Sequence, residues 1–400
     1  MKVGIDCRTI LNPGFGEQAG VGHYTYFLTR HLLELDHENE YVLFFDRQVG
    51  EHAAREFVRG RPKTEIRFFP FHEYRKLMPF IYSHLFVSSF ILRERCDVFH
   101  SPSGHLPYTY PAPAVITIHD LAIFKHPEWF PESVLARFSS QKILLPRAVK
   151  LARRIIVPSE ATARDLHELF RIPREQIRVI PHGVPSHEVV AFGGGFVSRN
   201  DEMTAEEVRT AHRLASRYLL FVGTIEPRKN VAALIRAFRK LPDDAACRDV
   251  TLALVGARGW KFDDVFREIA ITNKAYAPHE PVRYLGYVSA GDKFMLMKHA
   301  AAFVFPSFYE GFGLPVLEAM SMGTPVITSN AGALPEVVGE AALLVNPRHE
   351  TELTGAMARA LRDKGLWHRL SADGRKRASE FSWVTTARRT LEVYQEVVRH

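Results

Sequence analysis

Hydrophobic positions along this chain fall into short apolar runs separated by longer amphipathic stretches. KVGID (2–6), YVLFFD (41–46), TEIRFF (64–69), DVFH (97–100), AVITIHD (114–120), RIIVPS (154–159) and QIRVI (176–180) are rich in β-branched and aromatic residues. Each is too short for a helix and predicts a strand. Helix-length segments lie between several of them, including VGHYTYFLTRHLLEL (21–35) and SVLARFSSQKILLPRAVKLA (133–152). Strands alternating with helices imply βαβ units and a parallel sheet buried on both faces.

The rhythm stops at residues 185–211, which are glycine-rich, polar and without clear period, as expected of a connector. A second series begins at RYLLFVGT (217–224). It continues through DVTLALVG (249–256), VRYLGYV (282–288), AAFVFPS (301–307), TPVITS (324–329) and AALLVN (341–346). The pattern predicts an α/β chain of two doubly wound, Rossmann-like parallel-sheet domains, 1–185 and 213–382, joined by a linker at 186–212 and facing a cleft. Ligands of such sheets sit beyond the carboxyl ends of the strands, so functional residues are expected just after strands.

Composition narrows the classes. The 400 residues are 46% hydrophobic and 24% charged, ordinary globular values for two or three domains with sizeable cores. Lys and Arg total 52 against 45 Asp and Glu, a net charge of +7 that favours anionic partners, phosphorylated small molecules among them. No nucleic-acid-binding module appears, so nucleic acid is not an expected partner. Cys7, Cys96 and Cys247 form neither a metal spacing nor a disulfide framework, and predict a reducing, cytoplasmic compartment. MKVGIDCRTI predicts a first strand rather than a secretory leader. The apolar run LFVSSFIL (85–92) falls far short of the ~18 residues a membrane span needs.

Four places after predicted strands carry candidate chemistry. Gly20 and Gly22 precede a helix, where backbone N–H groups can meet an anion; the plain alternative is a turn, since the spacing is not GxGxxG. His119, with Asp120 in TIHDL, stands where it can hydrogen-bond a substrate hydroxyl or be a histidine satisfied in the core. Arg228 and Lys229 in TIEPRKN stand at a helix start, where cations oppose the dipole unless an anion is expected. With the helix N–H groups they would clamp a diphosphate; a solvated pair is the other reading. In FYEGFGLPVLEAM (308–320), a glycine loop enters a helix at Leu314-Pro315. Its N–H groups would attract phosphate, whereas Glu310 and Glu318 would be repelled by it and must face neutral hydroxyl-bearing parts on either side. A ligand made of sugar, diphosphate and ribose in sequence fits, which is a nucleotide sugar.

EGFGLPVLE resembles the E-x7-E motif of the retaining GT-B glycosyltransferases of family four. AGVGHY, TIHDL, VIPHGV (179–184), FVGTIEPRKN, LVGARG, YLGYVS and a closing amphipathic helix extend the resemblance over nearly the whole chain. The run is most similar to bacterial mannosyltransferases of O-antigen, capsule or exopolysaccharide assembly. The resemblance implies that Glu310 contacts the transferred sugar and Glu318 the ribose hydroxyls. It implies that Arg228 and Lys229 hold the diphosphate, helped by the backbone near Gly313 and Leu314. It further implies that His119 hydrogen-bonds the donor sugar, that Gly20 and Gly22 approach the phosphates from the other domain, and that Val288 meets the base through its backbone. His23 stands where relatives often carry arginine in a GxGRY loop, so no acceptor or phosphate contact is assigned to it. The closing segment, about 383–400, is expected to cross back to the first domain.

The expected donor is GDP-mannose, the acceptor a polysaccharide or lipid-linked oligosaccharide. A UDP-glucose- or UDP-galactose-dependent relative would show the same pattern, and a catalytically silent nucleotide-sugar-binding subunit is the alternative from another class. An oxidoreductase lacks the GxGxxG spacing and a ribose-binding acid. No two aspartates stand at D-x-D spacing, so a metal-independent reaction without a cofactor is expected, with fixed cations meeting the charge on the leaving diphosphate. No carboxylate nucleophile is evident, and the resemblance implies a front-face reaction. Residues 67–95 interleave basic and aromatic residues before an apolar helix. They fit either a peripheral contact at the inner face of the cytoplasmic membrane or core with snorkelling basic flanks.

Overall fold

The computed structural model describes residues 1–10, 20–69, 87–107, 110, 113–131, 139–184, 204–241, 243 and 245–399. The apolar runs are strands. β1 (Lys2–Asp6), β2 (Glu40–Phe45), β3 (Thr64–Phe68), β4 (Val98–Ser101), β5 (Ala114–Thr117), β6 (Arg154–Val157) and β7 (Ile177–Val179) form one parallel sheet in the order β3-β2-β1-β4-β5-β6-β7. β8 (Arg217–Val222), β9 (Val250–Val255), β10 (Val282–Gly286), β11 (Ala302–Phe305), β12 (Val326–Ser329) and β13 (Leu343–Val345) form a second, in the order β10-β9-β8-β11-β12-β13. Helices cover both faces, which is why central strands such as β9 and β11 are buried at every position instead of alternating.

The strand orders locate the sites. In the first sheet the chain runs outward from β1 and returns at β4; in the second it runs outward from β8 and returns at β11. Neighbouring strands at such a switch point send their following loops to opposite faces and open a crevice at the carboxyl edge. β8 and β11 lie side by side, Leu219 opposite Ala302 and Leu220 opposite Phe303. The loops that follow them therefore rise together, one carrying Arg228 and Lys229, the other Glu310.

Most of the predicted strands run one to three residues too long at this edge. β5 ends at Thr117, so His119 stands in the loop beyond it, and β10 ends at Gly286, two residues before Val288. The connector expected at 186–212 needs a correction. Residues 185–203 lie outside the described residues, but Ala205–His212 is a helix. Thr204 Oγ1 accepts from the Glu207 amide at 3.2 Å, and Glu207 Oε2 accepts from the Thr204 amide at 2.6 Å. This capping box satisfies two donors that open a helix, and its sequence sign, T-A-E-E, lay in the polar stretch read as loop.

The helix Trp383–Arg399 packs on the first sheet: Trp383, Ala387, Val393, Tyr394 and Val397 share a core with Val3, Ile5, Leu28 and Leu32. Tyr394 Oη lies 2.6 Å from His100 Nδ1, and Glu396 accepts from Arg154 Nη2 at 2.6 Å. The two passages between the halves run side by side, the Val184 amide donating to Phe381 O at 3.1 Å. A Cβ on Gly183 would lie 2.2 Å from the Trp383 nitrogen, so only glycine permits that approach.

Within 67–95, residues 70–86 lie outside the described residues. At the described end, Val87 and Ile91 are buried with Phe44 and Phe99, so that part of the segment is core. Among the described residues no helix is long and apolar enough to cross a membrane.

Candidate active site

After β8 the chain makes one tight turn, Pro227–Lys229, and enters the helix Val231–Arg239 through Asn230, whose left-handed backbone has φ 58°. Asparagine tolerates that conformation better than most residues. Its side-chain amide donates to Pro306 O at 3.2 Å and Pro347 O at 2.7 Å, while the Phe308 amide donates to Arg228 O at 2.8 Å. These bonds zip the turn to the loop after β11 and bring its cations to Glu310.

Lys229 Nζ donates to Glu310 Oε1 at 2.5 Å, and Arg228 Nη1 lies 3.5 Å from Glu310 Oε2. Arg228 Nε donates to Glu226 Oε1 at 2.5 Å, and Nη1 reaches Asp120 Oδ2 of the first half at 3.5 Å. Burial pulls the Glu310 carboxyl up, but Lys229 and Arg228 outweigh it and hold the group below the ordinary carboxylate range. Burial pushes the Lys229 ammonium down against the opposing pull of Glu310. Two cations thus meet Glu226, Glu310 and Asp120. The clamp expected for a diphosphate is a preformed ion cluster whose charge a ligand would redistribute.

Glu318 stands eight residues on, in the helix Leu314–Ser321. Gly313 opens that helix with φ 111°, and a Cβ there would lie 2.7 Å from Leu334 Cδ2. Both Glu318 oxygens accept from Lys293 Nζ at 3.0 Å. Val288 lines a cavity of about 500 Å³ with Tyr287, Ser289, Asp292, Arg283 and His212.

The opposite wall comes from the first half. Gly20 begins the helix Gly20–Leu35 with φ 67°, and Gly22 is buried in its first turn. Tyr24, one turn on, places its ring 4.7 Å from those of His119 and His182. His23 packs on Phe27 and Trp383, with ring centroids 4.5 and 6.1 Å away, beside the closing helix. The two walls touch at Gly311, where a Cβ would lie 1.9 Å from His119 O.

Residues 19–188 match glycosyltransferase family 4, and residues 202–377 match glycosyl transferases group 1. The O-antigen chain mannosyltransferase B of Escherichia coli is 30% identical over 389 residues, spanning 94% of this chain and 96% of that protein. This chain belongs to the group 1/family 4 glycosyltransferases. In fold it resembles the sucrose-phosphate synthase of Thermosynechococcus elongatus (TM-score 0.70, 21% identity, 99% of this chain and 98% of that one). It also resembles Anabaena HepE solved with UDP-glucose (TM-score 0.69, 18% identity, 99% and 100%). The architecture is GT-B, and the activity is that of a hexosyltransferase.

Two residues that touch the candidate glutamates were passed over by the sequence reasoning. Lys293 lies in the first turn of Ala290–His299. A cation there opposes the helix dipole, the same signal that singled out Arg228 and Lys229. Gly332, in SNAGALPE after β12, has φ 60°, and a Cβ on it would meet Glu310 O at 2.7 Å; the next amide, Ala333, donates to that oxygen at 3.0 Å. This loop backs Glu310, and its sign was another glycine after a strand.

His119 differs from its expected place. Pro102 O can only accept, so His119 Nε2, 2.8 Å away, carries the hydrogen. His119 Nδ1 is then the acceptor for His182 Nε2–H at 3.3 Å. Burial holds both rings neutral at physiological pH. Both His119 nitrogens are spent within the first half, so the ring meets a sugar hydroxyl only by giving up the longer bond to His182. His119→Ala is expected to lower Tm by the equivalent of about 1–3 kcal/mol, the usual cost of stranding buried partners, and to leave nucleotide affinity intact. An unchanged Tm with depressed turnover would return the ring to a purely sugar-facing role.

Proposed function

We propose that this glycosyltransferase moves mannose from GDP-mannose, with retention, to a hydroxyl of a polysaccharide or lipid-linked oligosaccharide. The observation that carries this reading is the buried Lys229–Glu310–Arg228 cluster at the β8/β11 switch point, beside the glycine loop that opens Leu314–Ser321. The relative named an O-antigen chain mannosyltransferase, matched along nearly all of its length, supports mannose and an O-antigen-type acceptor.

In this reading the bond between the sugar C1 and the phosphate oxygen breaks and its electron pair goes to the diphosphate. Arg228 and Lys229, fixed in place by their carboxylate partners, meet that charge with little reorganisation. The acceptor oxygen bonds C1 on the face the diphosphate leaves, and its proton passes to the departing phosphate oxygen. The backbone at Gly313 and Leu314 adds N–H donors and the helix dipole. Gly20 and Gly22 close over the phosphates from the first half, Glu318 takes the ribose hydroxyls, and Val288 meets the base. The two cations do the charge neutralisation for which other transferases employ a divalent metal.

A calorimetric screen of GDP, UDP and ADP, followed by turnover of their hexose conjugates, tests the reading. GDP binding most tightly and GDP-mannose turning over equally well with and without chelator is the expected result. Preference for UDP-glucose would overturn the donor, and loss of all turnover on chelation the metal-free mechanism.

The two glutamates should separate. Glu318→Ala is expected to weaken GDP binding roughly 10-fold to 100-fold, the worth of a hydrogen bond to a charged group. Glu310→Ala should leave GDP affinity nearly intact while lowering transfer. Equal loss of GDP affinity in both variants would mean the roles are misassigned.

A further inference from the structure

The loop that carries Glu310 is held by the other half of the molecule. Phe308 stacks on Trp129 with centroids 6.0 Å apart, and Phe312 meets the His182 ring at 4.9 Å. Gly311 O accepts from Ser159 Oγ at 2.7 Å and Thr162 Oγ1 at 3.2 Å. Tyr309 Oη donates to Asp165 Oδ2 at 2.6 Å and accepts from the Leu121 amide at 3.4 Å. Glu310 turns its side chain to Lys229 of the second half, and Phe308 also lies under Arg348 of that half, whose guanidinium is 5.5 Å from the ring centroid.

Asp165 is built as an anchor. It is buried in the helix Glu160–Phe170, and Lys125 Nζ bonds its other oxygen. Burial and the adjacent Asp165 carboxylate push the Tyr309 phenol up, so it stays protonated and donating. Tyr309 is next to Glu310 in the chain, so their Cα atoms are ~3.8 Å apart, and a movement of one carries the other.

We infer that Tyr309 is a positioning residue whose hydroxyl, anchored on Asp165 across the cleft, makes closure of the two halves set the place of Glu310. The inference rests on reading the cleft as the donor site. It assigns a role in turnover to a residue that touches neither donor nor Lys229, and it predicts that donor binding and Glu310 placement are separable. GDP is held mainly by the second half, with Gly20 and Gly22 reaching only its phosphates, whereas Glu310 is placed when the first half grips its neighbour.

The test uses the full chain with Tyr309→Phe, which deletes only the hydroxyl, Asp165→Asn, which keeps an acceptor, Asp165→Leu, and the Tyr309→Phe/Asp165→Leu pair. Turnover with GDP-mannose, GDP affinity by calorimetry, Tm, and the radius of gyration with saturating GDP are measured on each. Tyr309→Phe is expected to lower kcat roughly 10-fold to 100-fold, as a small misplacement of a reacting group does, with GDP affinity unchanged and only the modest fall in Tm that stranding Asp165 Oδ2 brings. Asp165→Asn should keep most of kcat, and the double variant should be no worse than its worse single. Wild-type kcat in Tyr309→Phe, or a fall in kcat matched by equal losses of GDP affinity and Tm, would overturn the inference. If the wild type transfers from no donor, the functional reading has failed and scattering decides alone. Expansion of Tyr309→Phe relative to wild type then supports the anchor, and an unchanged radius of gyration removes it.

Discussion

Lys229→Ala is expected to lower kcat by roughly 10²–10³, the usual loss on removing one preorganised electrostatic stabiliser. The ammonium is buried, lies 2.5 Å from Glu310 Oε1, and sits 4.9 Å over the Phe305 ring. Arg228, the cation beside it, is already shared among Glu226, Asp120 and Glu310. The variant also leaves Glu310 buried with one cation at 3.5 Å instead of two, so its carboxyl will rise from its present low range. The loss should therefore be larger at acidic pH, where a carboxyl no longer held down takes up a proton. Single-turnover rates with GDP-mannose across pH 5–8, beside Tm on the same sample, check this. Turnover within threefold of wild type would show that the lysine serves the fold and not the leaving group.

How much of this was written in the sequence depends on the distance over which each feature is determined. The strands were legible because a strand buried on both faces is an apolar run, and AVIT or TLALV cannot be read otherwise. Their ends were less legible because the carboxyl edge is where polar site residues begin: in AVITIHD the backbone leaves the sheet at Thr117 while the apolar pattern continues to Ile118. Glu310, Lys229 and Arg228 were legible because each breaks a local rule, a cation at a helix start or an acid beside a phosphate-binding loop. Lys293 broke the same rule and was passed over, although Gly291 stands two residues before it. The orientation of the His119 ring was beyond reach, since it is set by Pro102 and by His182, 63 residues away. Asp165 and Tyr309, 144 residues apart, meet across the two halves. Such pairs leave no local pattern.

Gly311→Ala is expected to reduce turnover by about 10²-fold or more, through geometry alone. A Cβ at that position would lie 1.9 Å from His119 O, 2.8 Å from Asp120 Cβ and 2.9 Å from His119 C. The nearest of these atoms belong to backbone, which no rotamer change can move aside, so the two walls of the cleft must retreat by about 1 Å. A misplacement of that size at a reacting centre costs ~10² in rate. The same retreat would stretch the bonds from Ser159 and Thr162 to Gly311 O and loosen the grip on Tyr309. The penalty falls only on the closed form. Each half keeps its own core, so Tm and GDP affinity should stay near wild type while the radius of gyration with GDP bound increases. Gly332→Ala is the useful contrast, because its Cβ would press on Glu310 O within the second half. That variant should lose turnover without opening the molecule. If Gly311→Ala instead melted early at normal turnover per folded molecule, the contact at His119 would be part of folding, and closure would have to be sought elsewhere along the cleft.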